Sequence, residues 1–265
     1  MTEVHGAATF CTSADAYDRH AGRYGPGLAA ASLAAAELRP GQRALDVGCG
    51  PGALTGALVE LLGAGRVAAV DPSPPFAEAC ASRIPGAEVQ VAAAEALPFA
   101  DDSFDAALAQ LVVNFMSDPP TGVGEMRRVT RPGGRVAAAV WDYAGEMTLL
   151  RRFWDAAIAV DPEATSRDES RSMPYCRPDE LEDLWRDVGL QAPTVSAAVV
   201  AADYGNFDDL WQPLEVGVGP SGAYAAALPP EPRARLRDEF RQRLGVGDKP
   251  FRLTARAWCV VGRVP

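Results

Sequence analysis

Ala44-Leu45-Asp46-Val47-Gly48-Cys49-Gly50-Pro51-Gly52-Ala53-Leu54-Thr55 sets an acid at the end of an apolar run, then three glycines on alternate positions, then the start of a helix. Leu45 and Val47 have strand character, and Leu54, Leu58 and Leu62 recur at helical spacing directly afterwards. Glycines at such a junction permit a tight turn and let a ligand approach the backbone. A strand, a tight turn and a helix in this order present free backbone N–H groups to whatever sits above them. The stretch reads as a nucleotide-cofactor loop.

The glycines alone leave the cofactor open. Gly48, Gly50 and Ala53 satisfy the G-x-G-x-x-G/A dinucleotide fingerprint, and Asp71 falls near the spacing of a ribose-binding acid. Asp46 points elsewhere. A carboxylate two residues before the first glycine repels a pyrophosphate and attracts a ligand bearing an ammonium or sulfonium, and S-adenosylmethionine bears both. The plainer reading of Asp46 is a short acid that caps the turn.

Three more stretches follow in order: Val67-Ala68-Ala69-Val70-Asp71-Pro72-Ser73, then Ala94-Glu95-Ala96-Leu97-Pro98-Phe99-Ala100-Asp101-Asp102-Ser103-Phe104-Asp105, then Glu125-Met126-Arg127-Arg128-Val129-Thr130-Arg131-Pro132-Gly133-Gly134-Arg135-Val136. With loop 46–52 they resemble the class I S-adenosylmethionine-dependent methyltransferases, more narrowly the ubiquinone/menaquinone C-methyltransferase-like branch. The likeness is good over about residues 40–142, loose before them, and only a pattern of elements in the carboxy-terminal half. It implies an enzyme that transfers a methyl group from S-adenosylmethionine to an O, N or C atom of a small-molecule acceptor. Where the family usually has Asp before the Ala-Glu pair, to meet the adenine amino group, this chain has Ala93. One side-chain hydrogen bond, ~0.5–1.5 kcal/mol net, is thereby in doubt, while the backbone at Ala94 and Glu95 remains to read the adenine edge.

At 265 residues and 48% hydrophobic content, the chain is long enough for a core domain with a cap. A net charge of −10 argues against a nucleic-acid partner, whose phosphates need a cationic surface. Five cysteines (Cys11, Cys49, Cys80, Cys176, Cys259) without a Cys-x-x-Cys pair, and two histidines, His5 and His20, imply neither a disulfide framework nor a metal site. No apolar run reaches membrane-spanning length and no leader pattern opens the chain, so a cytoplasmic monomer or homodimer without a membrane partner is expected.

Strand-like segments at 43–47, 66–70, 88–92, 105–110 and 135–141 alternate with helical ones, which predicts an α/β, Rossmann-like doubly wound sheet. Segments 194–202 and 251–261 also read as strands, and the family likeness makes them the sixth and seventh, the latter antiparallel, of a mostly parallel seven-stranded sheet. Three regions are expected: an N-terminal lid at 1–40, a cofactor-binding core at 41–143, and at 144–265 the completion of the sheet with helical insertions that cap the substrate. Amphipathic helices are expected with Met147, Leu150, Trp154 and Ile158 on one stripe, and with Leu181, Leu184, Trp185 and Val188 on another. Further helical pieces are expected near 207–212 and 233–244. The arginines of the latter read as a solvated face.

Ligands of open parallel sheets lie beyond the carboxyl ends of the strands, so Asp46, Asp71, Ala93 and Gln110 should border one cleft. Asp71 suits two ribose hydroxyls. Asp46 suits the methionine amino group, directly or through water, with Gly48 and Gly50 at the same end and Gln110 near the methionyl moiety. The resemblance carries Cys49 and Gly52 with the loop and Pro72 with Asp71 as cofactor contacts. Phe76 is either an adenine neighbour or core. Segment 17–24 resembles the family's flap, which would make Tyr17 and Tyr24 lid residues and let Arg23 pair with the methionine carboxylate, against a plain surface helix. A base is optional for methyl transfer; His20 is the first candidate, with Asp142, Tyr143, Tyr175 and Cys176 behind it. Ser117-Asp118-Pro119-Pro120-Thr121 reads as a helix cap. The rivals are an NAD(P)-dependent oxidoreductase and a cofactor-binding scaffold or rearrangement catalyst without methyl transfer.

Overall fold

Short apolar runs that carry almost no polar residue have to be covered on both faces, and the runs at 44–47 and 67–71 are buried along their whole length. The computed structural model describes residues 14–265. His5, Cys11 and the first part of the expected lid segment lie outside these. Helices α1 (Ala14–Arg19) and α2 (Gly25–Ala35), joined through a 3-10 turn, lead into β1 (Ala44–Val47), α3 (Ala53–Leu62), β2 (Val67–Asp71), α4 (Pro74–Arg83) and β3 (Glu88–Val91). β4 (Phe104–Gln110), α5 (Pro119–Val129) and β5 (Thr130–Trp141) complete the parallel part.

The carboxy-terminal half supplies α6 (Thr148–Val160), α7 (Glu169–Ser172), α8 (Pro178–Asp187), β6 (Gln191–Tyr204), α9 (Phe207–Glu215), α10 (Gly219–Ala227), α11 (Pro230–Leu244) and β7 (Phe251–Arg263). The seven strands form one sheet in the order β3-β2-β1-β4-β5-β7-β6, with β7 antiparallel to both neighbours. The strands placed in the expected core and in the expected completion thus share a continuous sheet across residue 143.

Period-two alternation divides the core. Ala44, Val67, Ala106, Leu108 and Ala137 face Leu54, Leu58 and Leu62 of α3. Leu45, Val47, Ala68, Val70 and Val136 face the other way, in one cluster with Met126 of α5 and Trp185 of α8. Trp185 donates its indole N–H to the Val136 carbonyl at 3.0 Å and lies so close to Gly262 that a Cβ there would be 2.7 Å from the ring.

β5 starts earlier than its apolar pattern. Thr130 pairs with Phe104 and Arg135 with Ala106, so residues 131–134 bulge between two paired segments, where the sequence indicated a turn before the strand. β6 and β7 also outrun their expected limits, because the antiparallel ladder from Gln191↔Arg263 to Tyr204↔Phe251 satisfies backbone groups beyond the apolar stretch. On α11, Arg237 pairs with Asp208, Arg241 with Asp248 and Arg243 with Glu239, consistent with a solvated face, while Phe240 packs edge-on against Phe153 of α6.

Candidate functional site

The turn after β1 is tied to β2 before any ligand is considered. Gly48 and Cys49 donate their N–H groups to the Val70 carbonyl at 2.8 and 2.9 Å. Gly50 donates to Asp71 Oδ2, and Ser73 to Asp71 Oδ1, both at 2.8 Å. Asp71 therefore clasps its own loop and the loop next door. At Gly48 (φ 74°) a Cβ would sit 2.4 Å from Val112. Gly50 (φ 51°) would meet nothing within 4 Å. One glycine is forced by a close neighbour; the other opens onto free space.

That space is a cleft of about 530 Å³, open to solvent at the carboxyl ends of β1, β2 and β4. Of the residues singled out from sequence, it brings together Tyr17, Gly48, Gly50, Asp71, Pro72 and Gln110. Phe76 joins them, with Tyr17 tilted over it at 5.7 Å between ring centroids. Sequence reasoning missed Ser73, Leu111, Val112 and Phe115 on the same wall. Leu111 holds φ 63°, which costs a non-glycine residue roughly 1 kcal/mol or more. The only sequence signal for them was position, Ser73 just after Asp71 and the other three just after Gln110.

The remaining expected contacts do not line the cleft. Asp46 is 1% exposed; Thr55 donates to its Oδ2 at 2.6 Å, while its Oδ1 has no partner. Burial pushes its carboxyl up to about 8, partly opposed by the Thr55 bonds. Cys49 turns toward Cys80. Of this pair Cys80 is drawn down, to about 7, because the Cys49 thiol hydrogen-bonds to it, with Thr55 3.5 Å away. A Cβ on Gly52 would lie 3.1 Å from Cys80 Sγ, so that glycine serves packing under the loop. Ala94 is in the core, and Glu95 accepts from Ser117 N and Asp118 N at 2.7 and 3.1 Å, holding the start of α5, where Asp118 caps as expected. Ala93 is exposed.

Segment 17–24 splits by role. Tyr17 stays at the cleft, burial and the nearby Asp18 and Asp71 charges pushing its hydroxyl up to about 12. Tyr24 is core, edge-on to Trp141 at 5.6 Å. Arg23 faces the carboxy-terminal half: it pairs with Asp209, donates to the carbonyls of Arg19 and Asp203 at 2.7 and 2.9 Å, and covers the Tyr204 ring. Those donors are committed away from the cleft. Burial and the Arg23 charge pull buried His20 down to about 4, too weak for an effective base near neutrality.

Behind the cleft lies a second group of buried polar side chains. Asn114 follows β4 in a 3-10 turn, and Tyr143 follows β5. Asn114 Nδ2 donates to the Tyr143 oxygen at 3.4 Å. Burial and the neighbouring Glu169 hold the Tyr143 hydroxyl well above the usual phenol value. Glu169, reached by Trp154 Nε1 at 2.8 Å, is itself pushed by burial up to about 7. Asp142 is not free for chemistry, since Arg256 grips it with two N–H groups at 2.6 and 2.9 Å. Burial raises the Cys176 thiol, and Tyr175 is partly buried against the core. Among the described residues no cluster of metal-ligating side chains occurs, and no helix is long and apolar enough to cross a membrane.

A family model described as a methyltransferase domain matches residues 45–138. The demethylmenaquinone methyltransferase of Clavibacter sepedonicus is 31% identical over 194 residues, 71% of this chain and 78% of that protein. Malonyl-(acyl-carrier protein) O-methyltransferase of Pseudescherichia vulneris is 35% identical over 57% of this chain and 58% of its own. Across such relatives the chain spans between 33% and 78% of their length. Among solved structures, the YcgJ protein of Bacillus subtilis superposes with a TM-score of 0.58 at 21% identity, over 89% of this chain and 97% of that one, a likeness of fold.

Proposed function

Because the chain belongs to the class I S-adenosylmethionine-dependent methyltransferases, we propose that the cleft above loop 46–52 binds S-adenosylmethionine and serves methyl transfer to an O, N or C atom of a small-molecule acceptor. The observation that carries this reading is a wall opened by Gly50 above a buried acid, Asp46, that keeps one oxygen without a donor. An acid under the loop favours a ligand with a sulfonium and an ammonium over a dinucleotide with a pyrophosphate.

We assign Asp71 to the ribose hydroxyls. Each of its oxygens takes one backbone N–H and retains a lone pair for a second donor. Gln110 Oε1, buried and unpartnered, suits the amino end of the methionyl group. Gly48, Cys49 and Gly52 shape the loop, Pro72 extends the wall, and the backbone at Ala94 and Glu95 is left for the adenine edge. Tyr17 and Phe76 cover one side of the cleft and exclude water.

Bound S-adenosylmethionine supplies a methyl carbon already activated by its sulfonium. The chain's own task is then to align the acceptor and keep the site dry. His20 and Arg23 are left out of that task by their surroundings. A net charge of −10 favours a small acceptor over a polyanion, acting on the monomer or a homodimer. Titration calorimetry with S-adenosylmethionine and with NAD⁺ tests the reading: binding of the first and not the second is expected, and the reverse overturns it.

A further inference from the structure

The carboxyl ends of β4 and β5 bring an amide and a phenol together next to the cleft. Asn114 is 5% exposed and lies between Val112 and Phe115, both on the cleft wall. Tyr143 is 4% exposed and meets the Asn114 amide from the end of the neighbouring strand. The Asn114 Nδ2 bond to Tyr143 Oη is long for N–H···O at 3.4 Å, and its second contact, 3.8 Å to Met173 Sδ, is weaker still. Asn114 Oδ1 has no donor at all. Among the described residues nothing accepts from the Tyr143 hydroxyl.

A buried acceptor without a donor is uncommon and destabilising, and here a free donor stands beside it. Such a pair is complementary to a group that both gives and takes a hydrogen bond. A hydroxyl does both; a carboxylate gives none, and an ammonium takes none. The charges nearby select against an anion too. Arg151 is committed to Asp168 and Asp155, and Arg256 to Asp142 and Glu146, while the Glu169 carboxyl lies beside Tyr143. Phe115 and Met173 add apolar surface for the body of the ligand.

Resting on the methyltransferase reading, we propose that Asn114 and Tyr143 are the acceptor-recognition pair, and that they select a neutral, hydroxyl-bearing small molecule: its O–H donates to Asn114 Oδ1 and its oxygen accepts from the Tyr143 hydroxyl. The pair binds and orients.

The test uses the full chain saturated with S-adenosylhomocysteine, followed by thermal-shift titration with three matched probes: 2-naphthol, 2-naphthoate and 2-naphthylmethylammonium. Stabilisation by 2-naphthol alone is expected. Its apparent affinity should fall about tenfold in Asn114→Leu and in Tyr143→Phe, which removes one oxygen and keeps the ring. S-adenosylhomocysteine affinity in Tyr143→Phe should stay within about twofold, a result that separates a lost contact from a damaged fold. An equal or larger response to the carboxylate or the ammonium overturns the proposal, as does no response to any probe or an undiminished response to 2-naphthol in Tyr143→Phe. Failure of S-adenosylhomocysteine itself to bind strikes the cofactor reading instead.

Discussion

Asp46→Asn separates what the buried acid costs the fold from what it does for the cofactor. Asp46 is taken from an ordinary 3.8 to about 8 by burial. Between those values the folded chain holds a proton that the unfolded chain has released, so stability falls as pH rises. The contribution is complete below about 3.8 and gone above about 8. One proton changes stability by at most ~1.4 kcal/mol per pH unit, so wild type should lose about 2–3 kcal/mol from this residue between about pH 5 and pH 7. Glu169, raised from 4.5 to about 7, acts with the same sign but is present in both proteins and cancels. Asparagine does not titrate and keeps a carbonyl for the Thr55 hydroxyl. The advantage of the variant in urea unfolding should therefore widen by about 2–3 kcal/mol from about pH 5 to pH 7. Its affinity for S-adenosylmethionine should move the opposite way, by about 10–100-fold, the scale of one charged hydrogen bond. Wild-type binding near pH 7 should also release up to about one proton, visible in calorimetry across buffers of different ionisation enthalpy. Parallel stability profiles would show that Asp46 is ionised in the empty fold, and unchanged affinity would remove it from the cofactor site.

Gly50→Ala should fold, at a cost of about 1–2 kcal/mol for its positive φ, yet bind the cofactor poorly because the methyl enters the cleft wall; Gly48→Ala, with Val112 in the way, should lose more stability, as thermal unfolding of the two will compare. Asp71→Asn offers one carbonyl to two backbone donors, so stability should drop by about 1–3 kcal/mol together with cofactor affinity; normal values of both would remove it from the site. Arg23→Ala should cost about 1 kcal/mol by releasing Asp209, and a large affinity loss at unchanged melting temperature would return the guanidinium to the cleft. Ala93→Asp, at an exposed position, should leave stability within about 0.5 kcal/mol and tighten S-adenosylmethionine binding; weaker or equal binding would mean the missing acid is not a simple vacancy.

The parallel part of the fold was legible because each of its demands falls on adjacent residues. A strand buried on both faces must be apolar, a turn that passes through φ 74° at Gly48 favours glycine, and α5 must be capped, here by Asp118. Where a feature depended on distant pairing, the sequence was silent. The bulge at 131–134 exists because Thr130 and Arg135 pair on either side of it, and the local Pro-Gly-Gly pattern reads equally as a turn. Arg23 looked like a lid cation because its partner, Asp209, comes 186 residues later. His20 looked like a base because composition carries no information about burial.

The same distinction separates the loop side of the cleft, whose pattern is local in the sequence, from the Asn114–Tyr143 side, whose pattern is not. Loop 46–52 works largely through backbone geometry, and backbone geometry constrains residue type within a few positions. Asn114, Tyr143 and Glu169 come from the turn after β4, the turn after β5, and α7, with no spacing rule joining them. Any one of them, seen alone, is an ordinary polar residue. They acquire chemical meaning only when the sheet order sets β4 beside β5 and leaves an amide oxygen without a donor next to a hydroxyl without an acceptor. Because the sheet supports such a pair through side chains alone, exchanging them alters hydrogen-bond pattern without disturbing the ladder beneath. On the proposed assignment, acceptor preference can therefore be changed at Asn114 and Tyr143 without touching the backbone bonds that hold loop 46–52 to β2.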